Sequence, residues 1–83
     1  MPVRMDATEL NRLRWRCRRG MLENDLILAR YLEARADAMS AEDLAALDRL
    51  LDLADDELWN LIAGRTESAD PELQAMVAAL RSA

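Results

Sequence analysis

"LNRLRWRCRRGMLENDLILARYL" (residues 10–32) carries two apolar patterns of helical spacing that meet at a single glycine. Before Gly20 the apolar positions recur every three or four residues, at Leu10, Leu13 and Cys17. After it they recur over a wider face. Such spacing places side chains on one side of an α-helix, and glycine often ends a helix by adopting a left-handed conformation. The stretch therefore predicts helices at about 7–19 and 22–36, with Gly20 as the break.

Helix-start signals predict where the helices begin. Asp6 precedes Glu9 in a reciprocal capping pattern, and Ser40 precedes Asp43 at the same spacing. Asp55 is predicted to cap a short fourth helix that ends at Gly64. Asp70 followed by proline predicts the start of the fifth helix. The third helix is predicted to extend to about residue 53. The apolar positions are Leu44, Leu47, Leu50 and Leu51 in the third helix, Leu58, Trp59, Leu61 and Ile62 in the fourth, and Leu73, Met76, Val77 and Leu80 in the fifth.

Together these patterns predict an all-α fold, a small single-domain bundle of five short helices over residues 1–83. The second helix is expected to be central because its apolar face is the broadest. One stripe of that face is expected at Leu22, Leu26 and Ala29, widened by Ile27, Leu28, Tyr31 and Leu32. Glu23 and Asp25 lie in its first turn, the end of a helix that favours acidic side chains.

Composition argues against ordinary enzyme chemistry. The 83 residues include no histidine and one cysteine, so the chain lacks the commonest general base, the commonest metal ligand and any internal disulfide. A lone cysteine suits a reducing compartment, and we expect the protein in the cytoplasm. The sequence has no apolar run near eighteen residues, which argues against direct membrane insertion.

Charge is divided unevenly along the chain. Residues 1–20 contain six arginines and two acids, a local net charge of +4, whereas residues 21–83 carry −9. On the first helix, Arg12, Arg16 and Arg19 are spaced by four and three residues and share a face. Trp15 lies between them and Arg18 follows three residues later. A tryptophan flanked by arginines has the composition of an interface anchor.

Each of these residues also has a structural alternative. Trp15 is compatible with burial in the core, and Arg18 with simple compensation of the helix dipole. Cys17 suits a small buried apolar position. Glu23 is compatible with a helix-start acid or with an ion-pair partner of Arg19.

The segment "RRGMLENDL" (18–26) resembles the signature of the succinate dehydrogenase assembly factors, or flavinators, whose mark is an Arg-Gly pair with a glutamate three residues after the glycine. Here these residues are Arg19, Gly20 and Glu23. The resemblance extends upstream to "RLRWRC" and downstream to "LDRLLDLADDELWNLI" (47–62) and "DPELQAMVAAL" (70–80). It covers nearly the whole chain.

The resemblance implies a protein that binds the flavoprotein subunit of succinate dehydrogenase, and in some bacteria of fumarate reductase. It implies that the factor promotes covalent attachment of FAD to a histidine of that client by positioning and not as a catalyst. FAD then belongs to the client, and no cofactor is expected to be bound stably by the factor. The expected partner-binding residues are Arg12, Trp15, Arg18, Arg19, Gly20, Met21, Glu23 and Asp25.

Three rival functions remain open at the level of sequence. Six arginines near one helix could contact nucleic acid, although the acidic body would be repelled by phosphates and we expect no such partner. A helical adaptor whose basic helix docks an acidic partner, without a flavin role, is the main alternative. An enzyme is the third, and the sequence offers it no nucleophile–base pair, metal set or phosphate loop.

Overall fold

The computed structural model describes residues 6–18 and 20–83, and these form five α-helices joined by short connections. The helices are α1 (Ala7–Arg16), α2 (Leu22–Arg35), α3 (Ala41–Leu51), α4 (Asp55–Ile62) and α5 (Pro71–Ser82), with a 3₁₀ turn at Ala36–Ala38. The predicted all-α fold of five short helices is confirmed.

Local capping explains where three helices begin. The Asp6 carboxylate accepts a hydrogen bond from the Glu9 N–H at 2.7 Å. Ser40 and Asp43 form a reciprocal capping box, with both bonds at 3.0 Å. The Asp70 carboxylate accepts from the Glu72 N–H at 2.9 Å, and Pro71 opens α5. Each cap satisfies an N–H group that the helix itself leaves unpaired.

Two predicted helix boundaries were wrong, the end of the first helix and the start of the fourth. The first helix ends at Arg16, with Cys17 as its C-cap, so Arg18 lies beyond the helix and not in its last turn. The N-cap of α4 is Ala54, and Asp55 is the first residue of that helix. The Asp55 carboxylate therefore lies in the first turn, together with two further acids, where the helix dipole favours negative charge.

The core is formed mainly by leucine and methionine side chains from α2 to α5. Helix α5 packs against α2, α3 and α4, so it holds the central place that we had expected for α2. Of its predicted inner residues, Met76, Val77 and Leu80 are buried and Leu73 is partly buried. The remaining large, fully enclosed apolar side chains are Leu28, Met39, Leu47, Leu50 and Leu58.

The predicted inner stripe of α2 was also wrong. Leu22 is 66% exposed, Leu26 is 50% exposed and Ala29 is exposed too. The residues predicted to widen this face do meet the core: Leu28, Tyr31 and Leu32 are buried, together with Asn24, and Ile27 is partly buried. The stripe of Leu22, Leu26 and Ala29 is therefore on the surface, beside the junction with α1.

Candidate functional site

The junction between α1 and α2 is short, since α1 ends at Arg16 and α2 begins at Leu22. The Cys17 N–H donates to the Leu13 carbonyl, and the Arg18 N–H donates to the Trp15 carbonyl, both at 3.1 Å. Gly20 then adopts a φ of +95°, a conformation that favours glycine. A Cβ at this position would meet no atom within 4 Å, so backbone conformation and not lack of space calls for glycine here.

Asp25 folds back onto this turn. Its carboxylate oxygen Oδ2 accepts a hydrogen bond from the Gly20 N–H at 3.3 Å. Met21 is the N-cap of α2, and its sulfur accepts a hydrogen bond from the Asn24 side-chain amide at 3.4 Å. The two predicted site residues Met21 and Asp25 therefore hold the shape of the turn.

Trp15 lies on the surface and not in the core. Its side chain is 70% exposed, which decides between the two sequence interpretations. The Arg18 guanidinium carbon lies 5.3 Å from the centroid of the Trp15 ring, a cation–π distance. Asn11 and Arg14 join this pair around a shallow surface pocket of about 250 Å³.

The three arginines predicted to share one face, Arg12, Arg16 and Arg19, do not have the same environment. Arg16 forms an ion pair with Asp48, and its second nitrogen lies 3.5 Å from Asp52. These contacts attach the end of α1 to α3. Arg12 is exposed, and Arg19 falls outside the described residues.

Three large apolar side chains are exposed in the described part of the chain, and all belong to the two helices that meet at the junction. They are Trp15, Leu22 and Leu26. Glu23 lies in the first turn of α2 and is exposed as well. Exposed apolar groups among charged ones mark surfaces that bind other macromolecules.

Asn24 is a residue of the motif that sequence reasoning missed. It is fully buried, and its amide nitrogen donates to the Asp55 carbonyl at 3.0 Å. The signal was available, because Asn24 precedes Leu28 by four residues and so shares its face. Its carbonyl oxygen has no hydrogen-bond partner among the described residues.

Among residues 6–18 and 20–83, no group of three or more His, Cys, Asp or Glu side chains is placed to hold a metal ion. The single cysteine, Cys17, is buried. No helix in the same described residues has the length and apolar character needed to span a membrane.

The fold and the junction together define a small helical protein with exposed aromatic and apolar side chains beside a glycine turn. A family model described as "flavinator of succinate dehydrogenase" (Sdh5) matches residues 11–83. The chain belongs to this family, as the motif around Gly20 had predicted.

Relatives of this chain are similar over nearly their full length. The chain is 40% identical over 75 residues to the FAD assembly factor SdhE of Methylococcus capsulatus, covering 90% of each chain. It is 42% identical over 73 residues to the protein of that name in Pseudomonas putida, covering 88% of this chain and 87% of that one. A third, from Xylella fastidiosa, is 37% identical over 81 residues, covering 98% of this chain and 84% of that one. No solved structure matches the chain significantly.

Proposed function

We propose that this chain binds the flavoprotein subunit of succinate dehydrogenase and promotes covalent attachment of FAD to a histidine of that client. The proposal is supported by the family description, "flavinator of succinate dehydrogenase", and by relatives named FAD assembly factors. The observation that carries the proposal is the exposed Trp15–Arg18 pair, beside Leu22 and Glu23, at the glycine turn. The FAD is the client's cofactor, and the factor itself binds none stably.

The factor acts by selecting a conformation of the client. A protein that binds one domain arrangement more tightly shifts the client towards it, by no more than the difference between the two affinities. The covalent bond to the flavin is then made within the client's own site. The absence of histidine from this chain suits a helper of this kind better than a catalyst.

Each junction residue makes a different kind of contact with the client. Trp15 supplies a rigid apolar anchor, while Arg12 and Arg18 supply donors for client carboxylates or carbonyls. The open space around Gly20 lets client backbone approach closely. Glu23 offers an exposed carboxylate to a client cation or polar group near the flavin. Arg19 belongs to the same proposed set by its place in the motif.

The same surface would serve the flavoprotein subunit of fumarate reductase, which we include as a second client. The proposal places the protein in the cytoplasm, where its single cysteine stays reduced. Nucleic acid is not expected as a partner because residues 21–83 carry a net charge of −9.

A flavinylation assay tests the proposal. Apo flavoprotein subunit, FAD and a dicarboxylate are incubated with and without the factor, and covalent flavin is read by fluorescence after a denaturing gel. The wild-type factor should brighten the client band, and Glu23→Ala should not.

Glu42→Ala is the matched control, because Glu42 is also an exposed glutamate in the first turn of a helix. It should support flavinylation as wild type does. Circular dichroism should show both variants folded. A client band that wild-type factor leaves unchanged would reject the proposal and favour the adaptor function without flavin.

A further inference from the structure

A groove runs between the end of α1 and the exposed face of α2, next to the junction. Its volume is about 480 Å³. Arg14 and Arg18 line the α1 side, and Glu33 lines the α2 side, with Leu26 and Ala29 between them. We call this the α1–α2 groove.

The groove has the length of two helical turns. Its lining residues on α2 run from Asp25 to Glu33, which at ~1.5 Å per residue is about 12 Å along the helix axis. At ~5.4 Å per turn, a partner segment lying along this face contacts it over slightly more than two turns.

The walls of the groove favour a helical partner over an extended one. Arg14 and the whole α2 wall belong to helices, and the N–H groups of Cys17 and Arg18, which follow α1, donate to the carbonyls of Leu13 and Trp15. The walls therefore present no strand edge to which an extended peptide could add. A partner that buries its main chain here must satisfy its own N–H and C=O groups, which a helix does. Amphipathic helices dock in grooves in this way, with apolar residues at i, i+3 or i+4, and i+7.

Charge on the two walls gives the partner helix a preferred orientation. The guanidinium groups of Arg14 and Arg18 lie on one side, and the carboxylates of Asp25 and Glu33 lie on the other. An incoming helix with an acidic residue towards α1 and a basic residue towards Glu33 pairs with both walls. The reverse orientation places like charges together, which costs free energy.

The groove is continuous with the proposed client surface. Arg18 lines the groove and also stacks on Trp15. Leu26 lies one turn beyond Leu22, and both are exposed. A protein bound over the junction therefore extends into the groove without crossing a gap.

We infer that the α1–α2 groove binds a two-turn amphipathic helix of the client flavoprotein, with its apolar face on Leu26 and Ala29 and an acidic residue towards Arg14 and Arg18. This inference rests on the proposed function. It assigns part of the affinity between factor and client to a second contact, outside the Arg-Gly-x-x-Glu motif.

Two substitutions on α2 test the inference. Ala29→Arg fills the groove, whereas Ala34→Arg adds the same side chain at an exposed position of α2 that does not line it. Calorimetry with the purified apo flavoprotein subunit should give a Kd at least tenfold higher for Ala29→Arg and within twofold of wild type for Ala34→Arg. Both variants should keep the wild-type circular dichroism spectrum.

Hydrogen exchange of the client identifies the segment. The complex with the wild-type factor should protect one continuous client stretch of about eight residues that is helical, and the complex with Ala29→Arg should leave that stretch unprotected.

The outcomes separate the inference from the proposed function. If wild type binds the client, Glu23→Ala abolishes flavinylation and Ala29→Arg binds normally, the groove inference is wrong while the proposed function stands. If wild type does not bind the client, both are wrong. If Ala29→Arg changes only the self-association of the factor in sedimentation, the groove receives a second copy and the inference is overturned.

Discussion

The side-chain amide of Asn24 donates a hydrogen bond to the main-chain carbonyl of Asp55, 3.0 Å away, and so joins the start of α2 to the start of α4. Asn24 has no exposed surface. Its amide also reaches the sulfur of Met21 in the glycine turn. A single buried polar group therefore links the glycine turn to the body of the bundle.

Asn24→Asp should destabilise the protein in a pH-dependent way. A buried carboxylate facing a carbonyl oxygen loses its donor, and we expect a loss of about 2–3 kcal/mol at neutral pH. Burial raises the pKa of this new carboxyl above its unfolded value of about 3.9. The deficit should therefore be smallest below that unfolded value, where the carboxyl is protonated in both states, and grow as pH rises through the folded pKa.

Urea unfolding between pH 4 and pH 8 measures this deficit. Asn11→Asp, at an exposed position of α1, is the control and should change stability by less than about 0.5 kcal/mol. A deficit for Asn24→Asp that does not vary with pH would contradict the buried environment described for this residue.

Arg81→Met should weaken the end of α4. The Arg81 side chain donates from Nε to the Ile62 carbonyl and from Nη2 to the Leu61 carbonyl, both at 2.8 Å. Methionine keeps much of the stem but removes these donors, and the expected loss is about 2 kcal/mol. Arg30→Met, at an exposed position of α2, should lose far less in the same unfolding experiment. Equal losses of stability in the two variants would show that the hydrogen bonds from Arg81 to the Leu61 and Ile62 carbonyls do not stabilise the fold.

The two glycines should respond differently to alanine. Gly20 and Gly64 both have positive φ, +95° and +81°, so alanine at either costs roughly 1–2 kcal/mol of backbone strain. A Cβ at Gly64 would also lie 3.3 Å from Nη2 of Arg81, against the cap just described. Gly64→Ala should therefore be the less stable variant by chemical denaturation.

Flavinylation should rank the same two variants in the opposite order. Gly20→Ala places a methyl group on the proposed client surface, whereas Gly64 lies at the end of α4. Gly20→Ala should lose more activity than Gly64→Ala at a temperature where both are folded. The same order in both assays would mean that Gly20 matters only for folding.

Asp70 should make the wild type sensitive to acid. The hydrogen bond from Arg49, at 2.6 Å, and that from the Glu72 N–H lower the pKa of the Asp70 carboxyl below its usual value of 3.8. A lowered pKa stabilises the fold above the unfolded value, and this contribution is lost as pH falls through the folded pKa.

Asp70→Asn isolates this effect because asparagine also caps helices well but carries no charge. The difference in free energy of unfolding between wild type and Asp70→Asn should be constant from pH 5 to pH 8. It should shrink as the pH falls below the unfolded pKa. A difference that persists unchanged at pH 2 would contradict a charge-based contribution.

The starts of α1, α3 and α5 were predictable because their causes are local. Asp6, Ser40 and Asp70 cap residues only two or three positions away. The buried face of α2 was not predictable in the same way, since apolar residues at helical spacing occur on two of its faces. Which face is covered depends on where α4 and α5 lie, and that is a property of the whole chain.

The candidate site was predictable in outline for a related reason. The spacing of Arg19, Gly20 and Glu23 identified the turn, while the exposure of Trp15 and Leu22 had to be read from the fold. Asn24 was missed because it lies between two acidic residues, Glu23 and Asp25, and because its hydrogen-bond partner is 31 positions away.

None of the ten residues of α1 is buried. The helix is joined to the rest by the partly covered Leu13, by Cys17 just after it and by the ion pairs of Arg16. Substitutions on its outer face should therefore carry little folding penalty, so these residues can vary while the bundle stays intact. A chimera that carries a relative's outward-facing α1 residues should melt as this protein does, yet prefer the flavoprotein of the donor species.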